Sequence, residues 1–273
     1  MNFLLNERML LEEALKLRKI KDEKPTHTFQ VLIKHFFKEG LNKTEVLLEL
    51  EKFLQGNYKY NFVRLESLLR KMINSIHKNY MEIADDYKYR LNEITQLSIP
   101  KRELDVITAL KKTNGEEDLE LQKFAFSILV TARLKNLLRV NEEKLDLFDD
   151  HREIIKDAQL SNEVKTRKKR MLFELKEKGL IEVPLKITST KCKALFITND
   201  TDKEITITDF NNSILYFLKW KGEKGIIDCA KCNAIVRRKT NNQKYCRNCS
   251  VDADRELARN RMKTNRILSS IQK

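Results

Sequence analysis

The chain has 273 residues, 41% of them hydrophobic and 34% charged, with a net charge of +14. This is the composition of a charge-rich globular protein long enough for two domains, which excludes a disordered chain. Six Gly and three Pro argue for helix and against a sandwich of short strands. The positive charge has two sources to weigh. It favours a polyanion such as DNA, RNA or an anionic surface. A Lys-, Asn- and Ile-rich proteome bias, as in AT-rich genomes, also raises it. The longest apolar runs, Phe124–Val130 and Ile214–Leu218, fall far below the roughly 20 residues of a membrane span. The N-terminus meets charge too early for a secretory signal. The expectation is a cytoplasmic protein with reduced cysteines and no membrane partner.

Residues 1–97 read as a helical domain. Leu10, Leu11, Ala14 and Leu15 recur at helical spacing, and Pro25 ends that run. A second helix closes at Gly40, placed as a C-cap. Asn42 with Glu45 three residues on predicts a capping box for a third. Val63, Leu65, Leu68, Leu69, Met72, Ile73 and Ile76 keep the 3.6 period of a long fourth helix. His27, His35 and His77 lack ligand neighbours and read as structural or surface residues.

Ser98–Pro100 looks like a junction, and residues 98–215 read as a second domain. Lys101 onward predicts a helix ending at Asn114-Gly115. Leu121, Phe124, Ala125, Ile128, Leu129, Ala132 and Leu138 give the next helix an apolar face. A short helix capped by Asp149 or Asp150 follows. Then comes a helix with Ser161 or Asn162 as N-cap and Gly179 just past its end. "LIEVPLKITS", "KCKALFITN" and "KEITITDF" alternate as strands do. This order, with the phrase "RMLFELKEKGLIEV", resembles a winged helix-turn-helix over roughly residues 116–208. The resemblance implies that the helix before Gly179 enters the DNA major groove.

"KTRKKR", Lys165 to Arg170, sets five cations in six residues on that helix. Glu163, Lys165, Thr166 and Lys169 are candidates for base edges, with Arg167, Lys168 and Arg170 flanking. A solvated face of a Lys-rich protein accounts for the same run.

Residues 216–273 form the third region. Cys229-x-x-Cys232 and Cys246-x-x-Cys249 stand 13 residues apart. Each pair can pinch a metal on a tight turn, and the stretch between suits a short hairpin turning at Asn241-Asn242. The pattern resembles a C4 zinc ribbon or treble clef, implying tetrahedral, structural Zn²⁺. Paired disulfides, a redox Cys-x-x-Cys and an iron–sulfur site are the competing uses of four thiols. Cys192 reads as a buried free thiol in a strand. The segment after Cys249 predicts a helix capped by Ser250 or Asp252.

From Cys229 to Lys273 twelve cations face three acids, +9 of the total +14. Arg237, Arg238, Lys244 and Arg247 surround the thiols. Arg255, Arg259, Lys263 and Arg266 fall near one face of the last helix. They offset thiolate charge or face phosphates.

Catalytic patterns are wanting. There is no Gly-rich phosphate loop and no nucleophile elbow. His151 beside Asp149 and Asp150 sits where a cap is expected, and "DFNN" at Asp209–Asn212 is a weak signal. The sequence therefore predicts a mainly α protein without enzymatic activity. A helical domain precedes a winged-helix-like domain with a small β-hairpin, then a zinc ribbon with a basic helix. Small Lys-rich proteins of this build resemble DNA-binding regulators or replication accessory factors of phages and mobile elements in low-GC bacteria. The other class is a phage-encoded inhibitor that docks on a host protein or nucleoprotein complex, such as a defence effector or polymerase.

Overall fold

The structure is a computed structural model that describes residues 5–20, 25–55, 59–81, 88–138, 147–148, 151–160, 168–183, 192–200 and 202–271. It divides into two compact units. One comprises Asn2–Thr95 with Leu137–Lys144, the other Gln96–Asn136 with Leu145–Lys273. The fold is mainly helical, with small antiparallel sheets.

The N-terminal unit packs α1 (Glu7–Leu17), α2 (Pro25–Lys38), α3 (Lys43–Leu54) and α4 (Phe62–Tyr80). Pro25 opens α2, where its missing N–H costs nothing. At Gly40 the backbone turns left-handed (φ +88°), and Leu41 N–H reaches back to Phe36 C=O at 3.1 Å. That closes α2 by a Schellman turn. The capping box forms at α3: Asn42 accepts from Glu45 N–H, and the Glu45 carboxylate accepts from Asn42 N–H at 2.8 Å. The apolar stripes then meet in one core around Phe29, Leu32, Ile33, Leu50, Leu69 and Ile73.

In the C-terminal unit, β1 (Leu97–Ile99) leads into α5 (Lys101–Thr108) and α6 (Leu119–Leu138). The two units divide between Thr95 and Gln96, just before the junction expected at Ser98–Pro100, whose residues form the end of strand β1 and the α5 N-cap, Pro100. α5 also stops at Thr108 rather than at Asn114. The Gln122 amide donates to the Thr108 and Leu110 carbonyls at 3.0 and 3.1 Å, satisfying the groups a helix end leaves open. α6 is buried all round from Leu121 to Ala132, not on one face. Glu103 on α5 is fully buried. Its carboxylate takes the Arg133 guanidinium and the Thr198 N–H, the latter at 2.6 Å.

β2 (Leu147–Phe148), α7 (His151–Asp157), α8 (Lys168–Glu177), β3 (Ile181–Glu182) and β4 (Cys192–Ala194) come next. β4 lies in the middle of an antiparallel sheet of order β2-β4-β3. Gly179, at φ +70°, ends α8 as expected, with Leu180 N–H on Leu175 C=O at 2.9 Å. Cys192 is buried in β4. The expected caps at Asp149, Asp150, Ser161 and Asn162 lie outside the described residues.

β5 (Ile205–Ile207) pairs with β1 across more than a hundred residues, Leu97 opposite Ile207. Asp209 caps a short 3₁₀ turn, Phe210–Asn212, accepting from Asn211 N–H at 3.1 Å. This gives "DFNN" a structural role. α9 (Ser213–Trp220) follows and packs on β5, on β6 (Ile226–Asp228) and on β7 (Ile235–Arg237). Phe217 of α9 stacks on Phe126 of α6, ring centres 4.8 Å apart. The chain ends in α10, Arg247–Ile271.

Candidate metal centre and basic surface

The hairpin that carries the first cysteine pair is β6–β7, with Asp228 opposite Ile235. Its turn is Cys229–Ala234 itself. Asn233 N–H donates to Cys229 C=O, and Cys229 N–H to Ala234 C=O, both at 2.9 Å. Such a knuckle needs a left-handed residue, and Asn233 supplies it at φ +57°. The expected hairpin turning at Asn241-Asn242 is therefore corrected. Ile226 and Ile235 are the buried residues that tie the ladder to α9, whereas residues 238–245 are exposed or half-exposed. Asn241-Asn242 sit in a separate turn, closed by Gln243 N–H on Thr240 C=O at 3.1 Å.

The second pair starts the last helix. Ser250 N–H donates to Cys246 C=O at 2.9 Å, and Cys249 N–H points at Cys246 Sγ, 3.4 Å away. The sulfur thus occupies the capping role expected of Ser250 or Asp252, and α10 begins at Arg247. Ala230 N–H binds Lys244 C=O at 3.0 Å and brings the knuckle to this helix start.

The result is a cluster in which the sulfurs of Cys229, Cys232, Cys246 and Cys249 all lie within 4.8 Å of one another. They are positioned to bind a metal ion. Cys229 and Cys249 are buried, Cys246 is half-buried and Cys232 is exposed. Backbone N–H groups, that of Cys246 foremost, hold the Cys229 thiol down to about 6 despite the opposing effect of burial. The neighbouring sulfurs of Cys232 and Cys246 push Cys249 up to about 12. One thiolate forms readily there and the last resists. A cation at the centre removes that conflict, because it favours every thiolate at once.

Cations ring the centre. Arg238, Lys239, Lys244 and Arg247 are exposed. Arg237 holds Glu223 at 2.6 Å, and Lys231 lies 3.9 Å from Asp252 on the first turns of α10. Arg255 and Arg259 are exposed along that helix. Lys263 and Arg266 lie on it further on, and nothing of their side chains is described.

The α8 cations are only partly in view. Lys165, Thr166 and Arg167 lie outside the described residues, and Lys168 opens the described helix. Lys169 is exposed, and Arg170 binds Glu174 one turn on at 2.7 Å. Met171 and Leu175 face inward and fix which side of α8 is free. On that free side stands Phe173, 59% exposed, to which the charge run gave no pointer. Its signal was an aromatic three and four residues from Arg170 and Lys169.

Comparison of the chain with models of protein families, with curated proteins and with solved structures gives no match. Among the described residues, no helix is long and apolar enough to cross a membrane.

Proposed function

We propose that this chain binds duplex DNA, as a regulatory or replication accessory protein of a phage or mobile element, and that it works by binding rather than catalysis. The observation that carries the proposal is the order α6, β2, α7, α8, β3, β4 with β4 central in the sheet. A winged helix-turn-helix has this arrangement, and it makes α8 the helix offered to the major groove. The cations on and before α8 support the same role. The strand pair β3–β4 would be the wing.

The metal in this proposal is zinc, held for structure. Tetrahedral zinc with Zn–S bonds of about 2.3 Å sets its sulfurs about 3.8 Å apart. Cys232 and Cys246 sulfurs stand 3.8 Å apart. Cys229, Cys232, Cys246 and Cys249 would hold the ion, which cross-links the knuckle to the start of α10. The surrounding cations offset the charge of four thiolates and leave a surplus for phosphates.

Salt dependence tests this. Each phosphate contact contributes roughly 0.9 to the slope of log affinity against log salt. Replacing Arg255, Arg259, Lys263 and Arg266 with Gln should flatten that slope by about three to four units if all four touch phosphate. Affinity should fall alike for all duplex sequences. An unchanged slope removes α10 from the interface, and no binding to any duplex defeats the proposal in favour of a protein partner.

A further inference from the structure

The four sulfurs of the metal centre differ in how open they are. Cys229 is fully buried, Cys249 is 8% exposed, Cys246 is half-buried and Cys232 is exposed. The local fold sets this order. Cys229 closes the knuckle through its N–H and its C=O, and Cys249 lies in the first turn of α10. The two more open cysteines come from different elements, Cys232 from the knuckle turn and Cys246 from the residue before α10. Yet their sulfurs stand 3.8 Å apart, in contact.

Binding to zinc keeps a cysteine sulfur in its thiolate form. Among thiolates, access decides which one an oxidant reaches, and a second cysteine close by resolves the product. Exposure selects Cys232 for the first role. Contact and partial exposure select Cys246 for the second.

We propose that Cys232 is a modification site, oxidised by a hydroperoxide and resolved by Cys246 into a disulfide that empties the metal centre. The Cys232 thiolate attacks one oxygen of hydrogen peroxide. An S–O bond forms, the O–O bond breaks and hydroxide leaves, so the sulfur becomes a sulfenic acid. The Cys246 thiolate then attacks that sulfur. The S–S bond forms, the S–O bond breaks and a second hydroxide leaves. Both hydroxides take protons from water's pool, so one peroxide is reduced as two thiolates are oxidised. A centre left with Cys229 and Cys249 offers two ligands where tetrahedral zinc takes four. The new bond joins the knuckle to the start of α10, the same two elements that the metal joins. The tie therefore survives the loss of the ion, and a thiol reductant reverses the step by exchange.

The proposal rests on the reading of the four cysteines as a zinc centre, and its test separates the two. Zinc is first quantified in the full, reduced chain. Hydrogen peroxide is then added stepwise, remaining thiols are alkylated and tryptic peptides are mapped. Trypsin places the four cysteines in four peptides, because Lys231 lies between Cys229 and Cys232 and Arg247 between Cys246 and Cys249. One Cys232–Cys246 disulfide per zinc released is expected, with Cys192, Cys229 and Cys249 still alkylated. Dimedone present during oxidation should label Cys232 before any other cysteine. A first disulfide within either Cys-x-x-Cys pair overturns the proposal. So does first labelling at another cysteine, zinc retained after the disulfide forms, or thiols that survive the peroxide. A chain that holds no zinc removes the zinc reading instead, and the same map still decides whether Cys232 joins Cys246.

Discussion

Lys34 and Glu7 form a buried ion pair, with Lys34 Nζ 2.7 and 2.9 Å from the two Glu7 carboxylate oxygens. Glu7 also accepts the Asn92 N–H at 2.8 Å, so one carboxylate ties α1 to α2 and to the segment after α4. Removing one member strands the other charge without water. Lys34→Met or Glu7→Ala should each destabilise the N-terminal unit by about 3–5 kcal/mol. The double variant Glu7→Leu, Lys34→Met should cost less than the sum of the singles. Urea unfolding of the three variants measures it. Additive losses would mean that the two charges do not stabilise each other.

His77 gives that unit a pH dependence. Its ring stacks on Phe37 with centres 5.3 Å apart, and its Nδ1 lies 3.0 Å from the Tyr89 hydroxyl. Burial first, then Lys43 and Lys88, lower its pKa below the ordinary 6.5. The unfolded chain therefore takes up the proton before the folded one does. Stability is unaffected above that ordinary value and declines as pH falls from it toward the lowered one. His77→Gln should flatten this part of a stability–pH curve. An equally steep curve would assign the acid sensitivity elsewhere.

The metal centre should hold one zinc per chain by native mass spectrometry. Cys246→Ser should lose the ion and unfold residues 229–249, leaving α5, α6 and the β1–β5 pair intact. Backbone nuclear magnetic resonance resolves the two regions. A metal-free chain with an ordered knuckle would contradict this.

On α8, Lys169→Ala should lower DNA affinity and change the ranking of sequences without changing the thermal midpoint, because Lys169 is exposed. Arg170→Ala should cost less stability than a buried pair, since its bridge to Glu174 is a surface one worth about 0.5 kcal/mol or less. Binding titrations beside thermal melts separate the two effects. Unchanged binding for Lys169→Ala would return α8 to a solvated face.

Local chemistry was the legible part of this chain. Asn42 and Glu45 announce a capping box, Gly40 and Gly179 announce helix ends, and two Cys-x-x-Cys pairs announce a metal cluster. Each signal lies within a few residues of its effect. The β1–β5 pairing was illegible because Leu97 and Ile207 meet across more than a hundred residues in strands of three residues. The knuckle hairpin was misplaced for a different reason. Asn241-Asn242 is a good turn pair, but burial of Ile226 and Ile235 decides which strands pair. α6 was expected to bury one face, yet Gln122, Lys123, Ser127 and Thr131 go inside with the apolar residues. Gln122 reaches the Thr108 and Leu110 carbonyls and Lys123 the Gln159 carbonyl, all outside α6, while the Thr131 hydroxyl donates to the Ser127 carbonyl within it.

The all-round burial of α6 reaches into hydrogen exchange. A peptide hydrogen in a surface helix is released when one turn frays. Between Leu121 and Ala132 no side of α6 faces solvent, so no local fraying exposes its amides. They exchange only when the C-terminal unit opens as a whole. Their rate reads that unit's global stability, while amides of α10 at the exposed residues Asp254–Glu256 and Ala258–Met262 report local opening on a much faster clock.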